Sequence, residues 1–250
     1  MKIEQHQHYS AHLNREMFFK TYGHSGKPMV VFPSSGGRYY EYEDFGMIEA
    51  CRGFIQSGAI QVFTPDSVDY ESWLNQNASP HDKGQMHNRY DRYIVEEFIP
   101  TVKHLSGYQG AMIATGCSMG GYHAMNFYLR HPDVFDTTIA LSGIYDARFF
   151  VGDYGSDIGV YENSPTDYLW NLYDPWFLDK YRRGNIIVCT GQGAWEEPSI
   201  EDTRKLEAAF LAKQIPAFVD YWGYDVNHDW PWWRIQIVYF LNILQEKGVI

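Results

Sequence analysis

The chain has 250 residues, of which 45% are hydrophobic and 20% charged, and its formal net charge is -11. This composition supplies enough apolar side chain for a continuous core and excludes a disordered chain. The acidic balance argues against a phosphate-binding surface, so we expect neither nucleic acid nor a membrane as a partner.

Length, cysteine usage and the N-terminal segment bear on domain number and compartment. At this length, one α/β domain over residues 1–250 is the default interpretation. Cys51, Cys117 and Cys189 are odd in number and widely spaced, which fits neither a disulfide framework nor a metal-ligand pattern. The chain has no apolar run of signal-peptide or membrane-span length. We therefore expect free thiols, no metal ion and a soluble cytoplasmic protein.

The first third of the chain begins with a hairpin. Residues 6–13 and 16–22 alternate in polarity, which predicts two antiparallel strands at a sheet edge, joined by a turn at Asn14-Arg15. The next elements are a buried strand that ends in a glycine loop, a helix, a strand and an irregular aromatic loop, at residues 27–34, 45–57, 60–64 and 66–80.

Short apolar strands and helices alternate in the rest of the chain. A helical spacing of apolar residues covers about residues 85–105, with Pro100 as an internal irregularity. The elements that follow are strand 110–115, helix 121–129, strand 137–142, an insertion at about 146–181, strand 185–190, helix 200–213, strand 217–222 and helix 231–246.

This alternation predicts an α/β fold with a mostly parallel, doubly wound sheet that begins with the antiparallel hairpin. The insertion at 146–181 is rich in Phe, Tyr and Trp, which is unlike a flexible tether. We interpret it as a short aromatic cap beside the functional site.

The segment GCSMG at residues 116–120 matches G-x-S-x-G and lies between a predicted strand and a predicted helix. The turn between them is so sharp that the positions of Gly116 and Gly120 cannot carry bulky side chains. A serine at a helix N-terminus also faces free backbone N–H groups and the positive end of the helix dipole. The pattern predicts Ser118 as a nucleophile and the amide of Met119 as the first donor to an oxyanion.

A serine hydroxyl needs a general base, and in this strand-turn-helix context the chain order is serine, acid, histidine. Among ten histidines, only His228 lies in a loop after the last predicted strand. His123 and His131 follow the serine on its own predicted helix, and the hairpin histidines have no carboxylate cluster to complete a metal site. We predict that His228 is the base. The alternative is that His228 is only a solvent-facing residue of a turn.

The acid is expected after strand 185–190, where two adjacent carboxylates occur. Glu196 is the first choice and Glu197 the reserve, since an orienting carboxylate need only accept the imidazole N–H and stabilise the imidazolium. The alternative role for one of the two is to stabilise the N-terminus of the following helix, where negative charge is favourable. Asp146, after strand 137–142, is a weaker alternative acid.

A second oxyanion donor is expected from the loop after strand 27–34. Gly36 or Gly37 would let the backbone approach a substrate carbonyl, and a plain strand-to-helix turn is the alternative. Aromatic residues make up 17% of the chain, more than a core needs. Four of them are candidates for the substrate pocket, namely Tyr39, Phe149, Trp195 and Trp230.

Five segments carry a resemblance to a known family: FPSSGGRYYEYEDFGM, GCSMGG, SGIYD, GQGAWEEP and WGYDVNHDWPWW. Through them nearly the whole chain resembles the putative esterase family of α/β-hydrolases. That family holds the S-formylglutathione hydrolases (esterase D), feruloyl and enterochelin esterases and the mycolyltransferases. The resemblance implies an α/β-hydrolase fold, a triad of Ser118, Glu196 and His228, and an oxyanion hole formed by Met119 and the glycine loop. Relatives place the acid at slightly different offsets, which leaves Glu196 and Glu197 both open.

The expected function is that of a serine esterase that acts on a small-molecule carboxylic ester, such as an acylated sugar or an aromatic ester, without metal or organic cofactor. An acyltransferase or a thioesterase would use the same site. A catalytically silent binding protein is disfavoured because it would not need serine, acid and histidine together. Homo-oligomer formation is left open.

Overall fold

A computed structural model describes residues 1–250 and contains one eight-stranded sheet. The strands in chain order are β1 (Ile3–Ser10), β2 (Arg15–Tyr22), β3 (Lys27–Phe32), β4 (Ile60–Pro65), β5 (Met112–Cys117), β6 (Phe135–Leu141), β7 (Asn185–Thr190) and β8 (Phe218–Tyr221). Their order across the sheet is β1-β2-β4-β3-β5-β6-β7-β8. The strand β2 is antiparallel to both β1 and β4, and every other neighbouring pair is parallel. The predicted α/β fold class is confirmed.

Helices lie between the strands and in the insertion. They are α1 (Glu41–Asp44), α2 (Met47–Ala50), α3 (Arg52–Gln56), α4 (Pro80–Arg92), a π-helical segment (Tyr93–Phe98), α5 (Ile99–Ser106), α6 (Met119–Arg130), α7 (Arg148–Val151), α8 (Ile158–Tyr161), α9 (Pro165–Tyr168), α10 (Pro175–Arg183), α11 (Glu197–Ala212) and α12 (Trp230–Glu246). None of them combines the length and the apolar composition that crossing a bilayer requires.

The sheet separates two apolar cores. Along β3, Val30 and Phe32 pack in the core shared with α4, α5, α6 and α11, whereas Met29 and Val31 pack in the core shared with α2 and α12. Successive strand residues point to opposite faces, and here both faces are covered. This explains why β3, β4 and β5 are buried at every position rather than at alternate ones.

The first strand of the N-terminal hairpin starts and ends earlier than predicted, whereas the second strand ends at Tyr22, as predicted. The first strand was expected at residues 6–13, but β1 ends at Ser10, which pairs with Arg15. The amides of Ala11 and His12 donate to a carboxylate oxygen of Glu97, at 2.9 and 3.3 Å, instead of extending the ladder. Because Glu97 is remote in sequence, this turn is a tertiary effect.

The helix predicted at residues 45–57 is wrong as a single element. Three short helices, α1 to α3, occupy residues 41–56. They are separated where Gly46 takes a left-handed φ of 76° and Cys51 leaves the helical region with ψ near 0°. The backbone therefore changes direction at both residues.

The helix predicted at 85–105 begins earlier and contains a wide turn. The side chain of Ser79 accepts the N–H of Asp82, and Pro80 occupies the first helical turn, so α4 begins at Pro80. The π-helical segment ends just before Pro100, which lacks an N–H and whose ring crowds the preceding turn. The other strands and helices lie close to their predicted bounds. Among them α11 differs most, since it begins at Glu197 and was predicted from residue 200.

The insertion at 146–181 folds into the four short helices α7 to α10. Phe150 packs against Trp73 and Tyr122, with ring centroids 5.9 and 5.2 Å apart. Tyr122 lies on α6, close to its N-terminus, and Met119 belongs to the same small apolar cluster. The start of the insertion therefore lies beside the turn that carries Ser118.

Candidate active site

Ser118 occupies the turn between β5 and α6, in a backbone conformation that is rare for a residue with a side chain. Its φ is 57° and its ψ is -123°. A Cβ on Gly116 would lie 2.4 Å from the carbonyl of Gly120, and a Cβ on Gly120 would lie 2.3 Å from the carbonyl oxygen of Phe32. The glycines permit the close approach of strand, helix and glycine loop that makes the turn sharp. Such strain persists only where the surrounding structure enforces it.

His228 lies in the loop between β8 and α12, at the carboxyl edge of the sheet. Its Nε2 is 2.9 Å from Oγ of Ser118. The backbone N–H of His228 donates to the carbonyl of Ala194 at 3.0 Å, and the rings of His228 and Trp233 meet edge to face with centroids 4.9 Å apart. The loop that contains Ala194 therefore holds the backbone of His228, and the first turn of α12 packs against its ring.

Glu196 follows β7 and is fully buried beneath His228. Its Oε2 lies 3.1 Å from Nδ1 of His228. The same carboxylate accepts hydrogen bonds from Oγ of Ser142 at 2.7 Å, Oγ1 of Thr190 at 3.1 Å and the amide of Gly191 at 3.2 Å. Burial alone would raise the pKa of Glu196, but hydrogen bonds from His228, Ser142 and Gly191 outweigh it and lower the pKa. The carboxylate is thus held in its charged form.

The reserve acids lie elsewhere. Glu197 is exposed in the first turn of α11, where its charge favours the helix N-terminus. Asp146 accepts from Arg148 at 3.0 Å and from Lys205 at 3.5 Å. The sequence left two positions open for these adjacent glutamates, one beside the histidine and one at the N-terminus of the following helix. Glu196 takes the first and Glu197 the second, so only Glu196 reaches the imidazole.

The loops of Glu196 and His228 are joined to each other by hydrogen bonds that the sequence did not reveal. The amide of Gly193 donates to the carbonyl of Val226 at 2.8 Å, and the amide of Ala194 donates to Oδ1 of Asn227 at 2.8 Å. Ser142, also missed, donates to Glu196 and accepts from Nε1 of Trp233 at 3.0 Å. The sequence indicated these residues only through their positions, since each lies just after a predicted strand or in the loop that contains His228.

The two predicted halves of the oxyanion hole differ in their availability. The amide of Met119, at the start of α6, has no acceptor within the protein. The amide of Gly37 donates to the carbonyl of Ser34 at 2.9 Å, and that of Gly36 to Oδ2 of Asp69 at 3.4 Å. The structure therefore does not leave either glycine amide free. Ser35 lies between Ser34 and Gly36, and its amide has no acceptor within the protein. The amide of Ser35 is therefore the available donor of the glycine loop.

The four predicted pocket residues do not lie together. Trp230 stacks on Phe45 at 4.4 Å and meets Trp233 edge to face at 5.0 Å, so it lies next to a ring that contacts the imidazole. Trp195 is 81% exposed, with a φ of 70°, and it directly precedes the buried Glu196. Tyr39 instead stacks on a residue of β2, and Phe149 is exposed in the insertion.

A polar cavity of about 260 Å³ borders the glycine loop on the side of β2 and the loop after β4. Gly36, Arg38, Asp66 and Tyr70 contribute to its wall, and none of the four predicted pocket residues does. Aromatic content alone did not identify this charged recess.

The sequence matches a model of the family described as putative esterase over residues 10–242. No curated protein sequence matches significantly.

Solved structures of several enzymes have the same fold. A ferulic acid esterase superposes with a TM-score of 0.77 at 17% identity, covering 97% of each chain. An S-formylglutathione hydrolase from Agrobacterium tumefaciens has a TM-score of 0.74 at 15% identity, with 98% of this chain and 94% of that chain covered. The S-formylglutathione hydrolase FrmB from Staphylococcus aureus has a TM-score of 0.66 at 17% identity, with coverage of 97% and 96%.

Proposed function

The chain belongs to the putative esterase family, and from this premise we propose that it hydrolyses a carboxylic ester through Ser118, His228 and Glu196. The observation that carries the proposal is the unbroken series of contacts from Oγ of Ser118 to Nε2 of His228, and from Nδ1 of His228 to Glu196. Nucleophile, base and orienting carboxylate are recognised by this geometry.

In the first half of the reaction, His228 accepts the hydroxyl proton at Nε2 while Oγ of Ser118 bonds to the ester carbonyl carbon. The carbonyl oxygen becomes an oxyanion, which the amides of Met119 and Ser35 stabilise by hydrogen bonding. Ser35 is proposed as the second donor in place of the predicted Gly36 or Gly37, because the amides of both glycines already have acceptors. Collapse of the tetrahedral intermediate breaks the bond to the alkoxy oxygen, and His228 gives its proton to the departing alcohol.

In the second half, water attacks the acyl-enzyme and His228 accepts a proton from it, so the acid is released and Oγ of Ser118 recovers its proton. Glu196 stays ionised throughout. Its role is to accept Nδ1–H, which leaves Nε2 free to act as base, and to stabilise the imidazolium. The lowered pKa of Glu196 supports this role because a protonated carboxyl group could not perform it.

The substrate is proposed as a small-molecule ester. Relatives with this fold include a ferulic acid esterase and S-formylglutathione hydrolases, so aromatic esters and thioesters are the first compounds to test. We propose that Trp195 and Trp230 form the entrance beside the triad, and that the insertion at 146–181 acts as a cap. Contacts of Phe150 with Tyr122 support the second assignment.

The test compares wild type and Ser118→Ala on a p-nitrophenyl ester and with a fluorophosphonate probe. We expect kcat of the variant to fall on the order of 10⁶-fold, since removal of such a nucleophile removes the covalent route. The probe should label wild type at Ser118. Ser106→Ala, at the end of α5, is the control and should retain turnover and labelling. An active, correctly folded Ser118→Ala protein would contradict the proposal.

A further inference from the structure

A second buried carboxylate-histidine pair lies beneath the glycine loop, separate from the contacts of Ser118. Nε2 of His123 is 2.9 Å from Oδ1 of Asp69, and both side chains are 1% exposed. Asp69 belongs to the loop after β4, whereas His123 lies on α6. The proposed reaction uses neither residue, so this buried pair needs another explanation.

The other oxygen of Asp69 reaches the glycine loop. Oδ2 accepts the amide N–H of Gly36 at 3.4 Å, a long hydrogen bond at a residue whose φ is 67°. From the same β4 loop, Oγ of Ser67 donates to the carbonyl of Gly37 at 3.0 Å. Asp69 therefore connects the glycine loop on one side with α6 on the other.

Each end of this connection carries one proposed oxyanion donor. Met119 lies one helical turn before His123 on α6, and Ser35 directly precedes Gly36. Donors to an oxyanion must lie about 2.7–3.1 Å from the developing charge. We propose that Asp69 and His123 are positioning residues that fix the separation between the two amide donors of the oxyanion hole. This inference rests on the proposed esterase mechanism.

Packing around His123 makes the connection stiff. The ring of His87 stacks on it with centroids 5.3 Å apart, and the rings of Phe32 and Tyr122 lie at 6.0 and 5.1 Å. Burial, followed by the neighbouring charges of His123 and Arg130, holds the pKa of His87 well below its usual value. His87 is thus a neutral packing partner, and Asp69 is the acidic partner of His123.

The experiment measures kinetics and transition-state-analogue binding for Asp69→Ala, Asp69→Asn and His123→Gln. Asp69→Ala removes both contacts, and we expect kcat to fall roughly 10- to 100-fold, because misplacement by about 1 Å can cost that much. KM should change little. Asp69→Asn preserves the shape and one acceptor oxygen, so it should recover part of the lost rate.

A trifluoromethyl ketone separates positioning from a general loss of structure. Its carbonyl carbon bonds to Oγ of Ser118, the serine proton moves to His228 and the ketone oxygen becomes an oxyanion. Its affinity should therefore fall by the same factor as kcat, whereas the affinity for the product acid should not. If the affinity for the ketone is unchanged in variants with reduced kcat, the inference is wrong.

Asp91→Ala is the matched control, because Asp91 forms a 2.8 Å pair with His131 at the opposite end of α6. It should lower thermal stability and leave kcat and affinity for the ketone unchanged. If Asp69→Ala does not fold, His123→Gln and Asp69→Asn carry the test, and wild-type kcat in both would overturn the inference. Fluorophosphonate labelling and the result for Ser118→Ala report on the esterase mechanism itself, so the two proposals can fail separately.

Discussion

Three residues with side chains take a positive φ in the loops that surround the site. They are Ser118 at 57°, Ser142 at 50° and Trp195 at 70°. Each is enforced by its neighbours: the close packing of the glycines holds Ser118, a hydrogen bond to Glu196 holds Ser142, and Trp195 lies between two residues that bind the His228 loop and ring. Three of the five non-glycine residues with positive φ thus lie around the proposed catalytic side chains.

At the residue scale, Glu196 and Glu197 make a sharp comparison because they are adjacent and chemically identical. In Glu196→Gln the neutral amide no longer selects the Nδ1–H tautomer or stabilises the imidazolium, so kcat should fall on the order of 10³- to 10⁴-fold. Glu197 is exposed, and Glu197→Gln should change kcat by no more than about two-fold. The measurement is turnover of a p-nitrophenyl ester at neutral pH. A collapse in Glu197→Gln alone would reverse the assignment.

At the scale of elements, the β5-turn-α6 unit is the rigid part of the site. Every residue of α6 from Met119 to Leu129 is buried, and the carbonyl of Leu141 on β6 accepts the amide of Ser118 at 2.8 Å. Sheet, helix and glycine loop meet here without space for a methyl group. The turn that carries Ser118 is therefore held between packed elements, whereas Ser35, Glu196 and His228 lie in loops.

This packing predicts opposite effects for two glycine-to-alanine changes. In Gly120→Ala the new methyl would collide with the carbonyls of Phe32 and Pro33, and the free energy of unfolding should fall by about 2 to 3 kcal/mol. In Gly53→Ala, on α3, no atom lies within 4 Å, and lower backbone entropy of the unfolded chain should raise stability by about 0.5 to 1 kcal/mol. Urea titration measures both. A Gly120→Ala protein as stable as wild type would mean that the turn is looser than described.

At the scale of the whole molecule, the site is assembled from residues far apart in the chain. Ser118, Ser142, Glu196 and His228 each follow a different strand, and β5, β6, β7 and β8 are neighbours in the sheet. Parallel strands bring their carboxyl ends to one edge, so the loops after them converge there. The two faces of the same sheet are buried by two large apolar clusters.

Because both clusters share this sheet, we propose that residues 1–250 form a single domain with one cooperative unfolding transition. Far-UV circular dichroism, near-UV circular dichroism and tryptophan fluorescence should give coincident urea curves. The insertion should unfold with the rest, since Phe150 packs on α6. A separate early transition in fluorescence would show that the insertion is an independent unit.

Much of this architecture could be predicted from periodicity and short motifs. Alternation of apolar strands and helices determined the α/β class, and the GCSMG turn with its flanking elements determined the position of Ser118 on a strand-to-helix turn. These features depend on residues close together in the chain, whose steric and hydrophobic preferences act locally.

Only the tertiary structure decided which glutamate faces the imidazole, which amides of the glycine loop are free, and that Asp69 joins this loop to His123. The hairpin turn belongs to the same group, because the amide of Ala11 donates to the carboxylate of Glu97. Each depends on hydrogen bonds between segments that no local pattern connects. Local sequence largely determines where the strands and helices form, but which polar groups pair with each other is decided only when these elements pack together.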